Sequence, residues 1–219
     1  LYIVNFIGAK ANMSRIVKKP DERRKEILQA ARELFRTKEY EKATMQELID
    51  KLNIAKGTIY HYFSSKQDLL YAVVKELIDE ELERKKQLLN SRRCRNLNAL
   101  EKFRVLVTSD TMVEENEQIL ESLHHPGNTL IHTRQLGGYL IKLAPIFAAV
   151  IEEGCDQGIF KTEHPRECAE FLFSGFQFLT DLGFYPWSQR QLTRRVRAFP
   201  SLIETQLGAP KGSFNFLAE

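Results

Sequence analysis

The 219-residue chain is 43% hydrophobic and 28% charged, with a formal net charge of +3. It is too apolar for a disordered chain and long enough to bury a core without a disulfide or metal staple. Cys94, Cys155 and Cys168 lie far apart with no CxxC or paired Cys/His spacing, which argues against a disulfide scaffold or a zinc finger and fits a reducing cytoplasm.

The charge is uneven. Residues 1–70 carry 14 Lys and Arg against 9 Asp and Glu, whereas residues 71–219 carry 18 against 20. A basic first third joined to a slightly acidic body points to a polyanion-facing module in front of a second unit. No run reaches the roughly 18–20 apolar residues of a membrane span, so no membrane partner is expected. Residues 1–15 read as an extension or arm. The apolar start Leu1–Ile7 has no basic residue before it and contains Asn5, so it is a poor signal peptide, and Met13 opens a more ordinary start.

Helical periodicity then runs through almost the whole chain. Pro20-Asp21-Glu22 opens a first helix whose stripe is Ile27, Ala31, Leu34 and Phe35. Thr44 can cap a short helix through Lys51, and a second short helix covers about 55–63. Ser65-x-x-Asp68 fits a capping box for a long charged helix to about Asn90. Further helices are expected over 97–113, 115–124, 129–153, 165–182 and 188–207. Pro145 should kink or divide one of them, and Pro200 should bend the last. The class is all-α with about nine helices: a three-helix helix-turn-helix domain over 16–66, followed by a larger helical unit over 67–219.

Residues 44–63 are the most specific feature. Two short helices joined by Leu52-Asn53-Ile54 have the form in which the first helix braces and the second enters the DNA major groove. Asn53 tolerates the left-handed conformation such a reversal needs. At 100° per residue, Ala55, Ile59, Tyr62 and Phe63 fall on the packed side of the second helix. Gly57 and His61 lie opposite, flanked by Lys56, Tyr60 and Thr58. That outer face is rich in donors suited to phosphate oxygens and base edges. Lys66 sits in the first turn of the next helix, where a cation opposes the helix dipole and a phosphate partner would explain it.

The string Lys56-Gly57-Thr58-Ile59-Tyr60-His61-Tyr62-Phe63, continued by Lys66, Leu69 and Leu70 and preceded by Ala43–Ile49, resembles the TetR (tetracycline-repressor-like) family of transcriptional regulators. The likeness covers about residues 22–72. It implies that Thr44 contacts backbone phosphate, that Lys56, Gly57 and Thr58 lie at the front of a recognition helix, and that Tyr60, Tyr62 and Lys66 reach phosphate. Asn53 stands where glycine is usual, and Ile49 where alanine is typical. Tyr62 is open to core packing or to DNA, and His61 to solvent or to DNA.

The resemblance further implies a homodimer built on the last two long helices, a pseudo-palindromic double-stranded operator and a small-molecule effector. Candidate interface residues are Phe171, Ser174, Gly175, Phe178, Leu192, Val196, Phe199 and Ile203, because the helix around Phe171–Leu179 is apolar on most sides. Candidate effector-pocket residues are Phe103, Met112, His132, Tyr139, Phe147 and Phe178, each of which could equally be core. No metal and no cofactor is expected, since His124, His125, His132 and His164 have no acid or cysteine at ligand spacing. No motif supports catalysis. Two alternatives stand beside the repressor reading: a helical small-molecule-binding or enzymatic protein with the helix-turn-helix as scaffold, and a regulator with no effector.

Overall fold

The computed structural model describes residues 19–109 and 112–218, so the expected N-terminal arm lies outside the described residues. Among them are nine α-helices and no strand. They are α1 (Pro20–Thr37), α2 (Met45–Leu52), α3 (Lys56–Tyr62), α4 (Lys66–Asn90), α5 (Ala99–Thr108), α6 (Met112–Glu121), α7 (Thr129–Asp156), α8 (Pro165–Thr180) and α9 (Gln189–Leu207), with short 3-10 turns between some of them.

Local chemistry sets most of the boundaries. Thr44 and Glu47 close a full capping box on α2, as do Asn98 and Glu101 on α5 and Ser188 and Gln191 on α9. Ser65 caps α4 by accepting from the Asp68 amide, but the Asp68 carboxylate turns to the Ser64 amide at 2.9 Å, so that box is half formed. The α5 capping box starts that helix at Ala99, not Leu97. Non-helical Asn116 breaks α6 internally, and a 3-10 turn replaces its expected last residues.

Both prolines sit inside unbroken helices, α7 and α9, so Pro145 does not divide α7. The carbonyl that loses its amide partner belongs to Ile141, which is 71% exposed, so water can take the amide's place. The segment Pro126–Asp156 is long and apolar enough to cross a membrane by length and composition, which the run-length reading missed. Here it packs along α8, α4 and α5.

One core runs from the first helices into the rest. Ile27, Ala31 and Phe35 of α1 meet Leu48 of α2, Ile59 of α3 and Leu69, Leu70 and Val73 of α4. The core continues through Leu77, Ile78 and Leu82 of α4 to Phe103, Phe147, Val150, Phe160 and Phe214. Phe103 meets Phe147 and Phe214 edge-on at 4.9 and 5.1 Å.

Asn53 ends α2 with φ 49° and ψ 50°, the left-handed position expected of it, and among the described residues it is the one non-glycine at positive φ. That conformation costs most side chains about 1–2 kcal/mol. Asn53→Ala should therefore lower stability in urea denaturation by about 1 kcal/mol, whereas Asn53→Gly should hold or raise it.

Candidate nucleic-acid interface and sensor cavity

The helix-turn-helix is pinned from beneath. Leu48, Ile49, Ile59 and Phe63 are buried, and half-buried Leu52, Ile54 and Tyr62 pack against them. Of the expected packed side of α3, only Ala55 differs: it precedes the helix and is exposed. Arg24 of α1 lies over the Phe63 ring at 5.2 Å. Arg23 is paired to Glu26.

Above this base, Lys56, Gly57, Tyr60 and His61 are exposed and Thr58 is half-buried. A Cβ built on Gly57 would meet nothing within 4 Å, so this face is open to close approach by another molecule. The Lys56 ammonium stands 5.9 Å from the Tyr60 ring centroid, and His61 meets Tyr62 edge-on at 5.1 Å. Exposed Thr44 stands at the start of α2. Its hydroxyl accepts from the Glu47 amide and donates to the Glu47 carboxylate, which also binds Lys38 at 2.5 Å. The Lys38 ammonium, and after it the Thr44 amide and hydroxyl, hold the Glu47 carboxyl below the usual carboxylate range.

Lys66 has internal partners. Its ammonium donates to the carbonyls of Tyr40 at 2.7 Å and Ala43 at 3.0 Å, with that of Glu41 at 3.5 Å, and lies 4.2 Å from the Tyr40 ring centroid. Burial lowers its pKa, against the opposing pull of Glu41. The cation at the head of α4 thus satisfies carbonyls of the α1–α2 connection and braces α4 against it. The groups that offset the clash of this cation with the dipole of α4 are carbonyl oxygens of the protein itself.

In the second unit a cavity of about 410 Å³ opens between α4, α5, α7 and α8, lined mainly by Leu106, Tyr139, Phe147, Phe173 and Phe176 with Lys85 and Asp181. Of the six expected pocket residues it includes Tyr139 and Phe147. Phe103 lies behind Phe147, and His132 is buried behind Asp181, to which its Nε2 is bound at 2.8 Å. Burial lowers the His132 pKa, and Asp181 works against that. Half-buried Met112 packs against the core and Phe178 lies on the outer face. Lys85 and Asp181 were not among the residues expected from the sequence, since Lys85 lies on the charged helix α4 and Asp181 beyond the end of α8. Lys85 is itself held by Glu81 at 2.8 Å and by the Leu106 carbonyl at 2.9 Å.

The outer face of α8 is apolar and open. Phe171 is 70% exposed, Phe178, Leu179 and Leu182 are also exposed, and neither Gly137 nor Gly175 has a neighbour within 4 Å of a built Cβ. Ser174 is exposed between them. On α9, Leu192 and Val196 are half-buried, whereas Phe199 and Ile203 are buried within the chain itself, Phe199 against Phe176 at 5.0 Å. Among the large apolar residues of that helix, Leu202 is exposed. Sequence periodicity finds an apolar stripe but not whether its neighbour is the same chain.

A helix-turn-helix with an open donor face, carried on a helical bundle with its own cavity, defines the class of helix-turn-helix transcriptional regulators. Residues 27–73 match the family model described as bacterial regulatory proteins, tetR family, and residues 111–202 match the tetracyclin repressor-like C-terminal domain. The chain belongs to the TetR family of transcriptional regulators.

Among curated relatives it is 32% identical over 108 residues to the HTH-type transcriptional activator FasR of Mycolicibacterium smegmatis, covering 46% of this chain and 49% of that one. It is 41% identical over 54 residues to the HTH-type transcriptional repressor AcnR of Corynebacterium diphtheriae, covering 25% and 28%. The chain thus matches about half or less of these relatives' length. A TetR-family regulator of Pectobacterium atrosepticum superposes with a TM-score of 0.66 at 20% identity, over 88% of this chain and all of that one. A regulator from Cytophaga hutchinsonii gives 0.60 at 18%, over 89% and 95%. These structural likenesses concern the fold.

The brace has a measurable consequence. Lys66→Ala should lower stability by about 1–3 kcal/mol in urea denaturation, because it strands carbonyls that the ammonium satisfies. Lys56→Ala should stay within about 0.5 kcal/mol of the parent.

Proposed function

We propose that the protein is a dimeric, sequence-specific DNA-binding repressor, acting in the cytoplasm, that a small-molecule effector releases from a pseudo-palindromic operator. The observation that carries this reading is the exposed face of α3: a cation, a phenol, an imidazole and an uncovered glycine stand over a fully packed base. Lys56, Gly57, Thr58, Tyr60 and His61 would meet bases and phosphates, Thr44 would reach phosphate from the start of α2, and Tyr62 would share core and contact duties. Lys66 would act by position, holding α4 to the segment that carries Thr44. Residues 16–66 would form the DNA-binding domain and 67–219 the sensing and dimerising domain.

The effector would occupy the cavity beside Tyr139 and Phe147. Its mixed lining, with aromatic walls and a few polar groups, is that of a small-molecule site, and its open volume favours this reading over a regulator with no effector. To release DNA the effector must prefer the non-binding state, each tenfold preference corresponding to about 1.4 kcal/mol.

Two experiments test DNA recognition and dimerisation. In a selection of genomic fragments at moderate salt, the protein should retain discrete sequences. Lys56→Ala should weaken that binding on all of them and lower the salt slope by about 1. Retention without sequence preference would refute the assignment. In sedimentation, the parent should run as a dimer and Phe171→Asp as a monomer, since a charge on the apolar outer face of α8 would be buried unpaired.

A further inference from the structure

Three potential metal ligands from separate elements converge where α7 begins. His124 ends the 3-10 turn Ser122–His124, His132 lies one turn inside α7, and Asp181 follows α8. His132 Nε2 is 2.8 Å from one Asp181 carboxylate oxygen, His124 Nε2 is 3.7 Å from the other, and the two imidazole centroids are 5.0 Å apart. One ligand atom from each of the three lies within 4.8 Å of the others. Ligands about 2.0–2.2 Å from a tetrahedral ion stand roughly 3.3–3.5 Å apart, close to the 2.8 and 3.7 Å separations of the two imidazoles from the two different oxygens of Asp181.

The surroundings hold these groups in place. Asp181 Oδ1 accepts from the amides of Gly183 at 2.8 Å and Phe184 at 3.3 Å, which fixes the carboxylate plane. The Phe184 ring stacks on His132 at 5.0 Å with an interplanar angle of 11°. A Cβ at Gly183 would come within 2.5 Å of the His124 ring, so the glycine is what lets this loop close over it. His124 and His125 diverge, the latter reaching Glu41 at 3.3 Å. His124 is partly exposed, which gives an ion a way in, and Asp181 also lines the 410 Å³ cavity.

We propose that His124, His132 and Asp181 form a binding site for a late first-row divalent cation of the zinc class, at the edge of the cavity. Two imidazoles and one carboxylate suit such an ion, whereas magnesium and calcium favour oxygen-rich sites. Three protein ligands leave a coordination position for water or a donor atom of a cavity ligand.

The test uses the untagged full chain, stripped of metal and titrated with zinc alone and cobalt(II) alone by calorimetry and visible absorption. The proposal requires one equivalent of each to bind, and no heat from magnesium or calcium at the same concentrations. His124→Ala, which leaves the buried His132–Asp181 pair in place, and Asp181→Asn should each weaken zinc binding by at least about tenfold with the helical circular dichroism retained. Gly183→Ala should weaken it too by displacing the His124 ring, while His125→Ala and His164→Ala should not. Absence of stoichiometric zinc binding by the folded parent would reduce the cluster to a His–Asp ion pair and overturn the proposal. Zinc affinity unchanged in both His124→Ala and Asp181→Asn would overturn it equally.

Discussion

Helix α4 carries the single core from beneath the helix-turn-helix into the second unit, and the remainder of the molecule is arranged around that constraint. Its 25 residues span about 38 Å. Leu69, Leu70 and Val73 complete the packing beneath the helix-turn-helix, and Leu77, Ile78 and Leu82 complete the start of the second unit. The head of the helix is fixed by the Ser65 cap and by Lys66, and three residues further back α3 ends. The head of α4 is therefore held next to the end of α3, whose base is packed on α2. Farther along, the buried Glu81–Lys85 pair, closed by the Leu106 carbonyl, ties the register of α4 to α5. Such a pair adds little net stability after its desolvation cost, but its geometry tolerates few alternatives.

The same constraint gives the two units a common boundary rather than a linker. Gln67 donates to the Gly127 carbonyl at 2.9 Å, His125 meets Glu41, and Gln135 donates to the Tyr71 carbonyl at 2.7 Å. Arg32 of α1 grips the Glu80 carboxylate with two bonds. A change of packing around the start of α7 therefore has direct polar contacts through which to reach the segment before α2 and the head of α4. Coupling of this kind needs two discrete arrangements of those contacts, and a ligand shifts them only by its differential affinity.

Features written in short stretches of sequence were legible from it. The Thr44 cap, the reversal at Asn53 and the outward set on α3 depend on neighbours within about four residues, so spacing and residue type were enough. Features that depend on distant partners were not. Lys66 was visible as a cation in the wrong place for its helix, but its carbonyl partners lie 23 to 26 residues away. Phe199 and Ile203 were correctly seen as a stripe, yet Phe176 of the same chain covers the first of them. Asp181 stands 49 residues beyond His132, so no ligand spacing could join them. The cavity walls, likewise, come from four helices.

The central claim, that α3 of each of two protomers reads a major groove, is tested most directly by hydroxyl-radical footprinting of the protein on a selected fragment. The account predicts two protected patches related by a twofold axis, centred about one helical turn, roughly 34–36 Å, apart, and lost in excess salt. Uniform protection along the fragment, or a single patch with no symmetry mate, would contradict it.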